Sequence, residues 1–318
     1  MPTITRIDDR DPRSKAALDA EQRLFARYGL EYKVHFVQLS EPNLRVRVLE
    51  VGTGQPLFLV PGGTGDTWYY FLLMAELKGR RIIALNRPGG GLSDGIDFRQ
   101  VDMRHLAVTT LRSVMDAFEL NRVPMISNSM GGLWSFWYTL DAPERVSRLI
   151  QVGCPALVLN TTAPFPTRLF SVPIINQWIA HDAQPKSIDT ALKLLRSNGS
   201  SQQVVDAMPR EAREAAYHFY NLPTYINTRI TLNSAVVSIM GPNPKYPVRA
   251  DELRQIQQPV LFVWGDNDPY GKLDVPREAV RIMPNAKLYE MHSGHMPFVD
   301  KPQECGRVIS EFLSMEEH

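Results

Sequence analysis

The sequence predicts an α/β fold, a mostly parallel central sheet of about eight strands flanked by helices, with a helical cap inserted into it. Three observations carry that expectation. Short β-rich runs alternate with helical segments, as a parallel sheet covered on both faces requires, because its crossovers carry the helices. Several of those runs end in loops rich in glycine or small residues, the place where chemistry sits on such a sheet. Strand-like runs vanish between about Leu157 and Val248 and then resume, which marks an insertion rather than a second sheet.

In chain order, residues 12–28 show helical periodicity through Leu18, Leu24 and Phe25. Tyr32–Leu39 and Leu44–Val51 alternate apolar and polar residues and read as a hairpin entering the sheet. Residues 56–60 and 81–85 are short strands running into glycine-rich loops, and residues 123–126 and Val146–Val152 are two more. Helices dominate the stretch that follows, at residues 188–196, 211–220 and 225–240. Strands return at residues 259–264 and Ala286–Met291, and an amphipathic helix over 303–315 closes the chain. The expected organisation is therefore a core in two parts, residues 1–156 and 251–318, with residues 157–250 as the cap.

Composition excludes several function classes. Thirty-five Lys and Arg against thirty-four Asp and Glu leave a net charge of +1, so no nucleic-acid or anionic-membrane partner is advertised. The expected partner is a small-molecule substrate, with no stable membrane association, and the chain is expected to be a monomer or homodimer. The N-terminus lacks a signal-like apolar stretch, no run has the length of a membrane span, and the expected location is cytoplasmic. Cys154 and Cys305 lie far apart in segments that read as buried, so no disulfide framework is expected.

The nucleophile follows from a turn. After the strand at 123–126 the chain reads Ser127-Asn128-Ser129-Met130-Gly131-Gly132 and then becomes helical. A serine on a sharp strand-to-helix turn is held in a strained conformation that lifts Oγ above the sheet, and small flanks, here Ser127 and Gly131, let the turn close. The new helix presents free N–H groups and its positive dipole end to developing negative charge. The plainer reading of the same residues is an ordinary connection capped by Ser and Gly.

With these residues in view, the sequence resembles the α/β-hydrolase superfamily over nearly all of its length after the first forty residues. Pro61-Gly62-Gly63-Thr64-Gly65 stands where that family has a His-Gly-x-x-Gly oxyanion loop, and Asn86 to Asp94 resembles its Pro-Gly-x-Gly-x-Ser turn. The resemblance implies an oxyanion hole made by the backbone N–H groups of Gly63 and Met130. His295, in Ser293-Gly294-His295-Met296, matches the family's Gly-His loop and would be the general base, with His292 a surface or supporting histidine. Trp264-Gly265-Asp266-Asn267-Asp268 looks like the family's Trp-Gly-x-x-Asp loop, which assigns the orienting acid to Asp268 and leaves Asp266 as a turn residue bonding its own backbone. The strand before the insertion ends in Gly153-Cys154-Pro155-Ala156 and offers no carboxylate. The order Ser129, Asp268, His295 is the order of this fold's triad.

The function expected on that basis is hydrolysis of a small carboxylic ester, lactone or thioester through an acyl-enzyme, without cofactor or metal. Two alternatives stand beside it. Asn128-Ser129-Met130-Gly131-Gly132 resembles the elbow of the meta-cleavage-product C–C hydrolases, which need a cap arginine for the substrate carboxylate; Arg168, Arg196, Arg213 and Arg229 are the candidates, while Met296 stands where those enzymes often have tryptophan. The other alternative is a ligand receptor on a hydrolase scaffold. Nucleotide binding fails on spacing, since Asp94 stands where a dinucleotide fingerprint needs its third glycine. Asp266, Asp268, His292 and His295 are conceivable zinc ligands by type, but nothing in their spacing fixes a coordination geometry. Among the aromatic residues of the insertion, Phe165, Phe170, Trp178, Tyr217, Phe219 and Tyr220 could line a pocket or simply pack, and Trp134 and Trp137 read as helix packing against the sheet.

Overall fold

The computed structural model describes residues 1–63 and 65–315; Thr64 of the first glycine-rich loop and the last three positions of the expected 251–318 segment lie outside the described residues. Eight strands form one sheet: β1 (Tyr32–Leu39), β2 (Leu44–Val51), β3 (Gln55–Val60), β4 (Arg80–Leu85), β5 (Val123–Ser127), β6 (Val146–Val152), β7 (Val260–Gly265) and β8 (Ala286–Met291). Their spatial order is β8-β7-β6-β5-β3-β4-β2-β1. Every neighbouring pair is parallel except those of β2, which runs antiparallel to both β1 and β4.

The period-two geometry of a strand sends successive side chains to opposite faces. In β3, Phe58 and Val60 therefore enter one core while Leu57 and Leu59 enter the other, and in β7 Phe262 parts from Leu261 and Val263 in the same way. The first face is covered by α3 (Met103–Ala117) and α4 (Met130–Asp141); the second by α1 (Pro12–Arg27), α2 (Phe71–Glu76) and the closing helix Pro302–Ser314. Local chemistry starts these helices. Asp11 accepts from the Arg13 N–H with Pro12 at the first position of α1, and Asp102 accepts from the His105 N–H at α3. Trp134 and Trp137 are buried in the core of α4, as expected.

Between β6 and β7 the chain makes only helices, short turns and one two-residue hairpin. Its longer helices are α5 (Ile175–Asp182), α6 (Arg210–Tyr220) and α7 (Pro223–Val236). Two expected boundaries need correction. The single helix expected over 188–196 is a short turn at Ile188–Thr190 followed by a separate helix at Lys193–Ser197. Thr190 Oγ1 bonds to the backbone N–H and C=O of Ser187, which closes the first turn locally, and Ala191 and Leu192 are drawn into the core. The helix expected over 225–240 ends at Val236, where Val237–Ser238 pairs with Gly241–Pro242. At the base of the excursion Val158 bridges Val248, so its two ends lie side by side.

Arg47 of β2 and Glu21 of α1 form a two-pronged ion pair, at 2.6 and 3.0 Å, with both side chains all but completely buried. Breaking such a pair strands one charge in a low-dielectric interior. Glu21→Gln is expected to lower stability by ~3–5 kcal/mol in urea unfolding, whereas Glu21→Leu combined with Arg47→Met should cost less than that single change.

Candidate active site

Ser129 sits between β5 and α4 with φ 51° and ψ −117°, a conformation that L residues adopt only under constraint. The constraint is crowding. A Cβ on Gly131 would come within 2.1 Å of the Val60 carbonyl oxygen, so the helix can start this close to β3 only with glycine there. Gly131 N–H donates to the Asn128 carbonyl at 2.8 Å and closes the turn. At the other flank, Ser127 is fully buried and its hydroxyl donates to Gln151 Oε1 of β6 at 2.9 Å, so a small polar residue is accommodated where the motif usually has glycine.

Asp268 and His295 come from the loops after β7 and β8. His295 Nδ1 lies 2.7 Å from Asp268 Oδ2, and both side chains are almost wholly buried. The carboxylate is itself held: Oδ2 accepts from Cys154 N–H at 2.8 Å and Oδ1 from Tyr270 N–H at 2.8 Å. The loop of His295 is pinned from two sides, by its own N–H donating to the Asn198 carbonyl at 2.8 Å and by Asn128 Nδ2 donating to its carbonyl at 3.2 Å. With Nδ1 engaged, Nε2 is the ring nitrogen left over; it is buried and has no hydrogen-bond partner among the described residues.

Ser129, His295, Gly63 and Met130 line one cavity of about 510 Å³, and Asp268 lies behind His295. The Ser129 hydroxyl and His295 make no hydrogen bond to each other here, which leaves the line from hydroxyl to carboxylate closed at the imidazole–carboxylate end only. Apo sites often tighten such contacts on binding substrate. As the first residue of α4, Met130 has an N–H without an acceptor inside the helix. Asp266 corrects an expectation: its carboxylate takes no backbone N–H of its own loop, only Asn267 Nδ2 at 3.1 Å, and reaches the neighbouring loop, accepting from Ser293 N–H at 3.2 Å and meeting His292 Nδ1 at 2.8 Å. His292 itself is exposed. Asp266 and Asp268 thus serve two separate histidines, and the described residues contain no cluster of three or more His, Cys, Asp or Glu able to hold a metal ion.

Residues 55–302 match the alpha/beta hydrolase fold family. The chain belongs to that family. This alpha/beta hydrolase is 26% identical to a 2-hydroxy-6-oxononadienedioate/2-hydroxy-6-oxononatrienedioate hydrolase of Burkholderia vietnamiensis, over 85% of this chain and 91% of the relative. It is likewise 26% identical to a second hydrolase of that name from Pseudomonas putida, over 93% and 97%. Among solved structures, a carboxylesterase of Bacillus subtilis superposes with TM-score 0.72 at 17% identity, covering 95% of this chain and 98% of that one. A meta-cleavage product hydrolase of Pseudomonas fluorescens gives 0.69 at 19%, over 88% and 97%. At these identities the structural likenesses establish the fold. Among the described residues no helix is long and apolar enough to cross a membrane.

The cavity of this hydrolase also contains groups that motif reading did not single out. Asp66 follows the first glycine-rich loop and Tyr69 comes just after it; both line the wall, as do Tyr225 of α7 and Tyr270 beside His295. Burial pushes Tyr225 up to about 12 and raises Tyr270, so both phenols stay protonated. Burial and the nearby Asp268 carboxylate push the Cys154 thiol well up, leaving it neutral. Of the four arginines considered earlier only Arg229 reaches the cavity, its guanidinium 4.9 Å from the Phe170 ring. Arg168, Arg196 and Arg213 are spent on backbone carbonyls of their own segment. Of the six aromatics, Phe170 and Tyr220 line the cavity, Phe219 is buried, Tyr217 is half-buried against the core, and Phe165 and Trp178 are exposed. No sequence signal marks these choices, because each depends on how the excursion folds back over the sheet.

Gly153, at φ 74°, has no room for a side chain: a Cβ would meet the His295 carbonyl oxygen at 2.2 Å. Gly153→Ala is expected to displace the histidine loop and to destabilise by ~1–3 kcal/mol from overpacking, read as a fall in both thermal midpoint and turnover. Wild-type turnover in this variant would mean that the loop position does not matter.

Proposed function

We propose that this enzyme is a serine hydrolase that passes the acyl group of a small carbonyl substrate to Ser129 and then to water, with carboxylic esters as its substrate class. The observation that carries the reading is the pairing of a serine held at φ 51° with a buried imidazole whose Nε2 is unpartnered in the same cavity. His295 takes the Ser129 proton as the hydroxyl attacks, returns it to the leaving group, and later deprotonates water. Asp268 holds the Nδ1–H tautomer and stabilises the imidazolium. The N–H groups of Gly63 and Met130 receive the oxyanion. Residues 157–250 act as a cap over this site, with residues 1–156 and 251–318 as the core. The cavity volume suits a small, largely apolar ligand.

A second reading, hydrolysis of a C–C bond in a carboxylate-bearing diketone-like acid, is favoured by two observations. Arg229 presents a guanidinium at the cavity with no hydrogen-bond or ion-pair acceptor among the described residues, as a site for an acidic group would. The curated relatives reported above carry the names of C–C hydrolases.

One assay separates the readings: activated esters of graded chain length, a lactone and a dienoic ketoacid, each with wild type and variants. Ser129→Ala should lower kcat by about 10⁴–10⁶-fold and Asp268→Asn by about 10⁴-fold, with the fold intact by circular dichroism. Arg229→Met should raise KM for the ketoacid by at least about tenfold and leave neutral esters unchanged, one ionic contact being the difference. Turnover that survives Ser129→Ala would sink the acyl-enzyme reading altogether.

A further inference from the structure

Arg87, in the loop after β4, is fully buried and stacks over the Trp134 ring of α4 at 4.9 Å. Among the described residues it has no carboxylate within ion-pair distance, an expensive state for a charge so deeply buried. Its Nε and Nη2 donors go to the first glycine-rich loop instead, while Nη1 is buried without a hydrogen-bond partner among the described residues. Nε donates to the Pro61 carbonyl at 2.9 Å, and Nη2 donates to the Gly62 carbonyl at 3.3 Å and to the Gly63 carbonyl. The backbone adds to this grip, since Arg87 N–H donates to the Gly65 carbonyl at 3.1 Å and a Cβ on Gly65 would strike Arg87 Cβ at 2.8 Å.

The consequence lies in peptide geometry. The Gly62 carbonyl and the Gly63 N–H belong to one planar trans unit, so they point in opposite directions. A guanidinium that holds the carbonyl on its own side turns the N–H away from itself. Gly63 lines the cavity, and its N–H donates to no described group. From these contacts we infer that Arg87 is a positioning residue for the oxyanion hole, its guanidinium gathering the carbonyls of Pro61, Gly62 and Gly63 so that the Gly63 N–H faces the reacting carbonyl. Burial lowers Arg87 only to about 10, so the clamp stays charged at neutral pH. Lysine cannot replace it, because an ammonium is a point charge without the planar fork that spans successive carbonyls.

This inference rests on the acyl-enzyme reading and is tested so that the two can fail separately. The full-length chain is compared as wild type, Arg87→Lys, Arg87→Met and Ser129→Ala, using an activated ester and a phenylboronic acid that forms a tetrahedral adduct on serine. Arg87→Lys should fold, keep KM within about threefold, and lose about 10²-fold in kcat with a matching loss of boronate affinity; Arg87→Met should lose up to about 10³-fold. A merely structural role would lower the thermal midpoint or raise KM without weakening the boronate in step with kcat. Should Arg87→Met fail to fold, Arg87→Lys decides alone. Ser129-dependent turnover in which Arg87→Lys matches wild type in kcat and boronate affinity, or changes only KM, overturns the role of Arg87 and leaves the hydrolase reading standing. Wild-type turnover no different from that of Ser129→Ala overturns both.

Discussion

The backbone of Ser129, held at φ 51°, is the constraint around which the rest of this site is arranged. A non-glycine residue in that region carries roughly 1–3 kcal/mol of strain and persists only where its surroundings over-determine it. Here β5 and α4 are both locked in the core: all of α4 from Met130 to Thr139 is buried, and Gly131 rides against the end of β3. Neither element can shift to relax the turn. The hydroxyl is therefore exposed at the cavity by the packing of the whole sheet, and not by a local preference of serine.

The loops around that turn are bound to one another rather than to solvent. Asn128 ties the elbow to the carbonyls of Val152 and His295, Cys154 N–H holds the Asp268 carboxylate, and Asn198 of the helical excursion accepts from the His295 N–H. These contacts run between the ends of β5, β6, β7 and β8, so the imidazole is placed by four separate segments. A displacement at any of them reaches the histidine, because close-packed backbones such as Gly153 against the His295 carbonyl leave no slack.

Charge is used sparingly inside the cavity. Arg229 and Asp66 are the ionisable cation and acid of the wall beside the histidine, among apolar side chains and protonated phenols. In such surroundings each polar group acts with little dielectric screening, so a single guanidinium weighs more there than it would in water.

The sequence by itself determined what is local. The alternation of strands and helices, the strand-to-helix turn at Ser129 and the loops carrying Asp268 and His295 are written in contiguous residues, since turn chemistry and side-chain periodicity act over a few positions. The hairpin order of β1 and β2 and the helical character of residues 157–250 were legible for the same reason. Tertiary structure decided whatever joins distant segments. It broke the helix expected over 188–196, because Ala191 and Leu192 are pulled into the core. It sent Asp266 to His292 and Ser293 across a loop boundary, chose Arg229 over three other arginines, and set Arg87 against carbonyls about two dozen residues earlier. Those outcomes follow from where the backbone returns in space, a quantity that neither residue type nor short-range spacing encodes.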